Sequence, residues 1–428
     1  MKTLVGILLL VVTISLYSET VITSIPSSAE LYGVHALSDD TVFVSGPGIW
    51  RSTNGGASFT MVHGAFVMDV RFASSTVGYA LMRNPNGIAY QAPVLKTTNG
   101  GLNWYSCFTP QGTLFFTRIY VKSESEVYGI FPGALINQQC QLFRSINGGA
   151  NFTMLHEIGG ASIQGVVVNS LNEHYIAASN CWYSNDLLNW EMKPNSLSYV
   201  YTAPQYNGNR LFFGGISWID NNFHPTIAYS EDRGNTWTNY VFPNPGQCQA
   251  LDFSPSGIGY GVELLTLNTN YRLSRSTDNG QTWDSLITTP FMKMNNVDAA
   301  GQTAYVVGKY GAYASIMRYR DKLLSINSNN TNPKKFELKQ NYPNPFNPST
   351  MIEYSISVYT KVNITVLGIN GQRIKTLVDK EQNAGSYKVS FNASELSSGT
   401  YFYRISVGNF SETKKMTLIK KKKKGRRL

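Results

Sequence analysis

No apolar run in this chain of 428 residues is long enough to cross a membrane as a helix. The longest, Leu4–Leu16, falls short of the ~20 residues that hydrocarbon thickness requires. Chemistry-bearing residues are also sparse. There are 5 His and 4 Cys, and charged side chains make up only 14% of the chain. The cysteines form no CxxC, and no HExxH is present, so neither sulfur nor imidazole is spaced for a metal. A GxxxxGK(S/T) phosphate loop is absent as well. No cofactor and no metal site is expected.

The formal net charge of +10 invites a nucleic-acid reading, but the charge is misplaced for it. Residues 334–428 hold 18 Lys and Arg against 6 Asp and Glu, whereas residues 19–333 hold 17 against 20. A large domain with a slight acidic excess is a poor match for phosphate, and no nucleic-acid partner is expected.

At the N-terminus, Lys2 precedes the apolar run and small polar residues follow it at Ser18–Ser24. This reads as a signal peptide over residues 1–18, cut at Ser18 or shortly after. The alternative is a buried N-terminal strand or helix. Export permits disulfides among Cys107, Cys140, Cys181 and Cys248, and three pairings stay open.

What the chain has in quantity is Gly (37), Tyr (26) and Phe (21), together with a repeat. Ser/Thr-x-Asn/Asp-x-Gly-x-x-Trp/Phe occurs at Ser52–Phe59, Thr97–Trp104, Ser145–Phe152, Ser230–Trp237 and Ser276–Trp283. A sixth copy, Ser184–Trp190, is one residue short and lacks the Gly. The near-constant period outranks any local reading. Each copy suits a tight hairpin: the Asn or Asp (Asn54, Asn99, Asn147, Asp186, Asp232, Asp278) accepts turn N–H groups and the Gly supplies a positive φ. The closing aromatic packs back on the sheet.

The motif resembles the Asp-box, or bacterial neuraminidase repeat, of β-propellers. The text between copies, such as Met68–Phe72 followed by a Gly-Tyr strand, is similar to propellers of the photosystem II assembly-factor type. The resemblance implies an all-β fold, a propeller over residues 19–321. Seven blades are the expected count, with six as the alternative. After the last box only three strand-like runs follow, Asn295–Ala299, Thr303–Val307 and Ala314–Tyr319. The alternating Thr20–Ser24 is expected to add the fourth and close the ring.

Residues 322–335 are polar and Asn-rich and read as a linker. Short alternating runs over residues 336–420 then predict a small Ig-like β-sandwich, ending in the basic tail 421–428. Its motif residues are Pro343, Asn344, Pro345 and Phe346, then Gly371, Gly385, Gly399 and Tyr401. They resemble the type A sorting domain of the type IX secretion system. The resemblance implies passage through the periplasm to the outer surface of a Gram-negative cell or into the medium, with the secretion machinery as partner.

Three arginines, Arg71, Arg118 and Arg210, exist for a sialidase-like triad, but the Arg-Ile-Pro opening and a Tyr–Glu pair do not. Asp69, Asp252 and Asp298 fall at similar places on the innermost strands of three blades. They are the only candidates for a carboxylate-pair glycoside hydrolase, the alternative function. The favoured account of them is a structural bridge between blades. Trp50, Trp182, Trp218 and Tyr90 are the candidate ligand-binding rings. The expectation is a monomeric, secreted or surface-attached, non-enzymatic propeller that binds a protein or polysaccharide.

Overall fold

A computed structural model describes the chain except residues 1–8, 15–17, 84–92, 111–114, 133–138, 160–161, 266–269, 291, 322–335, 357–359, 383–384, 408–409 and 421–428. No helix among the described residues is long and apolar enough to span a membrane. The chain divides into two compact units, Met1–Ser325 and Ile326–Leu428. Among the described residues every regular element is a β-strand.

Among the described residues the first unit holds seven antiparallel sheets, called blades 1 to 7 below. Blade 1 runs outward as Gly33–Ala36, Val42–Gly46, Gly48–Ser52 and Thr60–His63. The same order repeats in the blades that start at Val67, Arg118, Gly165, Tyr199, Gly246 and Met292. Each innermost strand neighbours the next, in blade 5 through the short added strand Gln205–Asn207 beside Arg210–Ile219, and that of blade 7 neighbours Gly33–Ala36, so the sheets close a circle. This is the arrangement of a β-propeller.

Blade 7 takes its outer strand from the other end of the chain. Ser18–Ile25 pairs antiparallel with Ala314–Asp321 in unbroken register, and Arg318 bonds Glu19 at 2.6 Å. Circular closure of this kind removes two free sheet edges at once. Outside it, Leu9–Ile14 forms a further strand against Glu19–Thr23. The apolar segment read as part of a signal peptide is thus paired to the sheet that starts where cleavage was expected.

Tyrosines on the second strands explain how blades lock together. Tyr79, Tyr260 and Tyr305 are fully buried, and each hydroxyl donates to a backbone carbonyl of the following blade. The acceptors are Glu124 at 2.6 Å, Gln302 at 3.0 Å and Asp39 at 2.8 Å. A buried phenol without such a partner would cost free energy. Cys107, Cys140, Cys181 and Cys248 are all free thiols, one in each of four blades, so no disulfide assists.

The second unit has two sheets, one built from Glu337–Leu338, Ser349–Ile356 and Gly385–Asn392. The other is Arg373–Gln382, Thr360–Leu367, Gly399–Val407 and Phe410–Leu418. One apolar core lies between them, with Phe346, Ile364, Phe391 and Tyr403 buried. The strand Arg373–Gln382 has no counterpart in the sequence reading. It is an edge strand whose core-packed residues Ile374, Leu377 and Val378 fall out of strict alternation among charges, and its pairing carries register shifts.

Candidate functional site

Five of the six boxes share one hydrogen-bond scheme. In these the leading hydroxyl accepts the N–H of the Gly four residues on, at 2.7 to 3.0 Å. In the shortened copy Leu187 N–H donates to Ser184 Oγ instead, and Leu187 takes a φ of 65° that a Gly would hold without strain. Asn54, Asn99, Asn147, Asp232 and Asp278 each accept the N–H four residues on through Oδ1. These oxygens are fully used by the turns.

The inner aspartates occupy the central channel, which two cavities of about 500 Å³ each fill from opposite ends. The first cavity reaches the turns that follow the inner strands, with His35, Asp39 and Gly301. The second reaches the segments that enter them, with Tyr32, Gln164, Tyr201 and Asn295. Asp69, Arg71, Arg118 and Asp252 line both, so they form the layer between the chambers.

Within that layer most charges are tied down. Asp252 Oδ2 accepts Ala299 N–H at 2.8 Å, and Asp298 Oδ2 accepts Ala36 N–H at 2.8 Å. Each of these links one blade to the next. Asp69 Oδ1 instead takes Val70 N–H and Arg71 Nε, both at 3.0 Å. Arg71 also reaches Asp298 at 3.5 Å, and His35 Nδ1 stands 3.7 Å from the same oxygen. Desolvation and the neighbouring Asp298 push the Asp252 carboxyl up to about 8. Burial pulls Asp298 the same way, but His35, Arg71 and the Ala36 amide outweigh it and hold that carboxyl below its ordinary value.

Arg210 is not in the channel. It bonds Glu231 at 2.7 Å and the Asn279 carbonyl at 2.7 Å, reaching the box of blade 6. The three arginines therefore do not assemble. Arg118 is exposed to the channel, and among the described residues no acceptor lies within bonding distance of it.

The candidate rings separate by burial. Trp50 and Trp182 are half-buried against the sheet cores, the latter 5.1 Å from the His156 ring. Tyr90 lies outside the described residues. Trp218 is 54% exposed, at the tip of the long hairpin Arg210–Ile219 and Asn222–Ser230. Two rings that sequence reasoning missed join it: Phe223 at 4.6 Å and, 6.3 Å from Phe223, Tyr199. Both are exposed, at 40% and 59%. Their only sequence signal was the aromatic spacing within one hairpin and its neighbour.

In the second unit, Phe346 is buried and its N–H and C=O pair with Thr417 and Ile419 at 2.9 and 3.0 Å. Asn344 Oδ1 accepts Thr417 N–H at 2.9 Å, while Pro343 and Pro345 stay exposed. Gly371 turns with a φ of 79°, Gly385 and Gly399 open strands, and the Tyr401 hydroxyl donates to Ser397 O at 2.8 Å.

Residues 340–420 match a family model described as a secretion system C-terminal sorting domain. No curated protein matches the chain. Among solved structures, YCF48 bound to D1 peptide is 15% identical with a TM-score of 0.52, over 73% of this chain and 99% of that one. The Cps50 (Swd1) β-propeller domain of Myceliophteria thermophila gives 8% identity and a TM-score of 0.50, over 73% and 99%. The GH74 xyloglucanase of Xanthomonas campestris gives 13% and 0.52, over 82% of this chain and 60% of that one. At such identities the likeness is one of fold. The sorting domain marks the protein for type IX export, to the cell surface or into the medium.

Proposed function

We propose that the propeller is a non-enzymatic binding module, exported by its sorting domain, which holds a protein or polysaccharide ligand on one face of the disc. The observation that carries this is the exposed triad Tyr199, Trp218 and Phe223. Large rings left in water at a hairpin tip add nothing to the core and suit stacking on a sugar or a partner side chain. Tyr201, two residues beyond Tyr199, lines the second chamber. The solved YCF48 carries a bound peptide, which fits a binding role for such a disc.

The test is a glycan-array and surface-protein capture screen on the mature chain, with product analysis of every hit. Capture of an intact ligand that falls about tenfold or more in Trp218→Ala supports the module. Capture indifferent to Trp218 moves the binding face elsewhere.

A second reading is a glycoside hydrolase, and one observation favours it. Asp252 is raised to about 8 while Asp298 is held low; carboxyls pushed apart in this way can serve as acid and base. Cleaved glycan with the parent and none with Asp252→Asn would establish it.

A further inference from the structure

We propose that the layer between the two chambers is a binding site for a sugar acid, with the Arg118 guanidinium taking the ligand carboxylate. The site is separate from the ring triad and does not depend on it.

The argument starts from the contrast between two arginines that line the same cavities. Arg71 is held by Asp69 at 3.0 Å and Asp298 at 3.5 Å, so its charge is already neutralised. Arg118 stands at the start of the inner strand Arg118–Val121, exposed to the channel with no acid within pairing distance among the described residues. Desolvation, opposed by the nearby Asp69 and reinforced by Arg71, lowers the Arg118 pKa, so an unpaired guanidinium in this walled channel gains from an anion that enters. A planar five-donor fork suits a carboxylate held by two parallel bonds.

Further contacts point to a polyol acid rather than to a simple anion. Asp69 spends only Oδ1, on Val70 and Arg71. Its Oδ2 is free among the described residues and accepts from a hydroxyl. The second chamber adds neutral hydrogen-bonding groups at Thr117, Gln164, Thr202 and Gln249. Such groups match hydroxyls in number and polarity, and leave Arg118 to choose the charged sugar. About 500 Å³ on either side accommodates one or two saccharide rings, well short of a folded partner.

The experiment is calorimetric titration of the mature full-length chain with D-glucuronate, D-glucose, a tri-glucuronate and a tripeptide with a free C-terminus. Glucuronate is expected to bind at least tenfold more tightly than glucose. Arg118→Gln is expected to lose that preference with its melting temperature unchanged, because Arg118 has no structural partner. Arg118→Lys is expected to keep part of it. Equal affinity for monomer and trimer identifies a terminal or free sugar acid, and tighter trimer binding identifies an acidic chain threaded through the layer. Binding of glucose and glucuronate alike, tighter binding of the tripeptide, undetectable binding of all four, or glucuronate affinity unaltered in Arg118→Gln would each overturn the assignment. Trp218→Ala separates the two sites: it leaves glucuronate affinity intact if the layer is right, whatever happens to capture on the rings.

Discussion

The boxes of blades 1 to 3 carry Asn54, Asn99 and Asn147, and those of blades 4 to 6 carry Asp186, Asp232 and Asp278. Apart from the shortened box of Asp186, both sets fold the same hairpin, yet they hold it differently. Each Asn accepts the turn N–H through one oxygen at 3.0 to 3.1 Å. Asp232 and Asp278 accept the same N–H at 2.8 and 2.9 Å and use their second oxygen for Thr236 Oγ and Thr282 Oγ, at 2.7 and 2.6 Å. Charge-assisted bonds are shorter and stronger. The comparison teaches that the motif needs an acceptor at this position, whereas a formal charge is optional and adds a pH dependence. A residue that serves equally well as Asn is no general acid.

The largest expected effects should ignore the difference between the sets. Gly101→Ala and Gly280→Ala, one from each, place a Cβ 2.3 and 2.4 Å from the buried rings of Phe43 and Phe212, at φ of 78° and 81°. Chemical denaturation should show each losing about 3 kcal/mol. A clear inequality between them would mean that the boxes are not one scaffold. Next come Ser145→Ala and Ser276→Ala, which orphan a buried Gly N–H and should cost about 1–2 kcal/mol each.

The sets should part at the acceptor itself. Asp278→Ala is expected to cost about 2 kcal/mol and Asn147→Ala about 1 kcal/mol, with ligand capture retained in both. Loss of capture at unchanged stability in either would overturn the structural account of the boxes. Acid should sharpen the contrast. Hydrogen bonds led by the Asn189 amide hold Asp186 down at about 2. Desolvation opposes the amides and hydroxyls around Asp232 and Asp278, but those bonds prevail and lower both. The stabilisation is complete above the ordinary carboxyl value of about 4 and is lost as pH falls through the lowered ones. Replacing all three Asp by Asn should therefore shrink the drop in melting temperature between pH 7 and pH 3. The smallest effect is a gain: Leu187→Gly relieves the positive φ of the shortened box and should add about 1 kcal/mol.

Much of the propeller was legible because its rules are local. The boxes announced their turns through Ser, Asn or Asp and Gly, and the Gly-Tyr strands announced themselves by period. Alternation at Thr20–Ser24 predicted the closing strand, found at Ser18–Ile25. The sorting domain was read from short motifs, and its missed strand Arg373–Gln382 places its apolar Ile374, Leu377 and Val378 out of strict alternation.

The sequence by itself determined that the chain is all-β, repeats a hairpin, and ends in a sorting domain, since each rests on residues a few positions apart. Tertiary structure alone decided which charges and rings are free. Asp298 meets an amide 262 residues away and Asp252 one 47 away. Arg71 is neutralised and Arg118 is not, although both begin from the same kind of inner strand. Trp218 reaches water while Trp50 and Trp182 do not escape the blades. Such differences arise from neighbours in other sheets, brought close by closure of the ring, and no local pattern carries them.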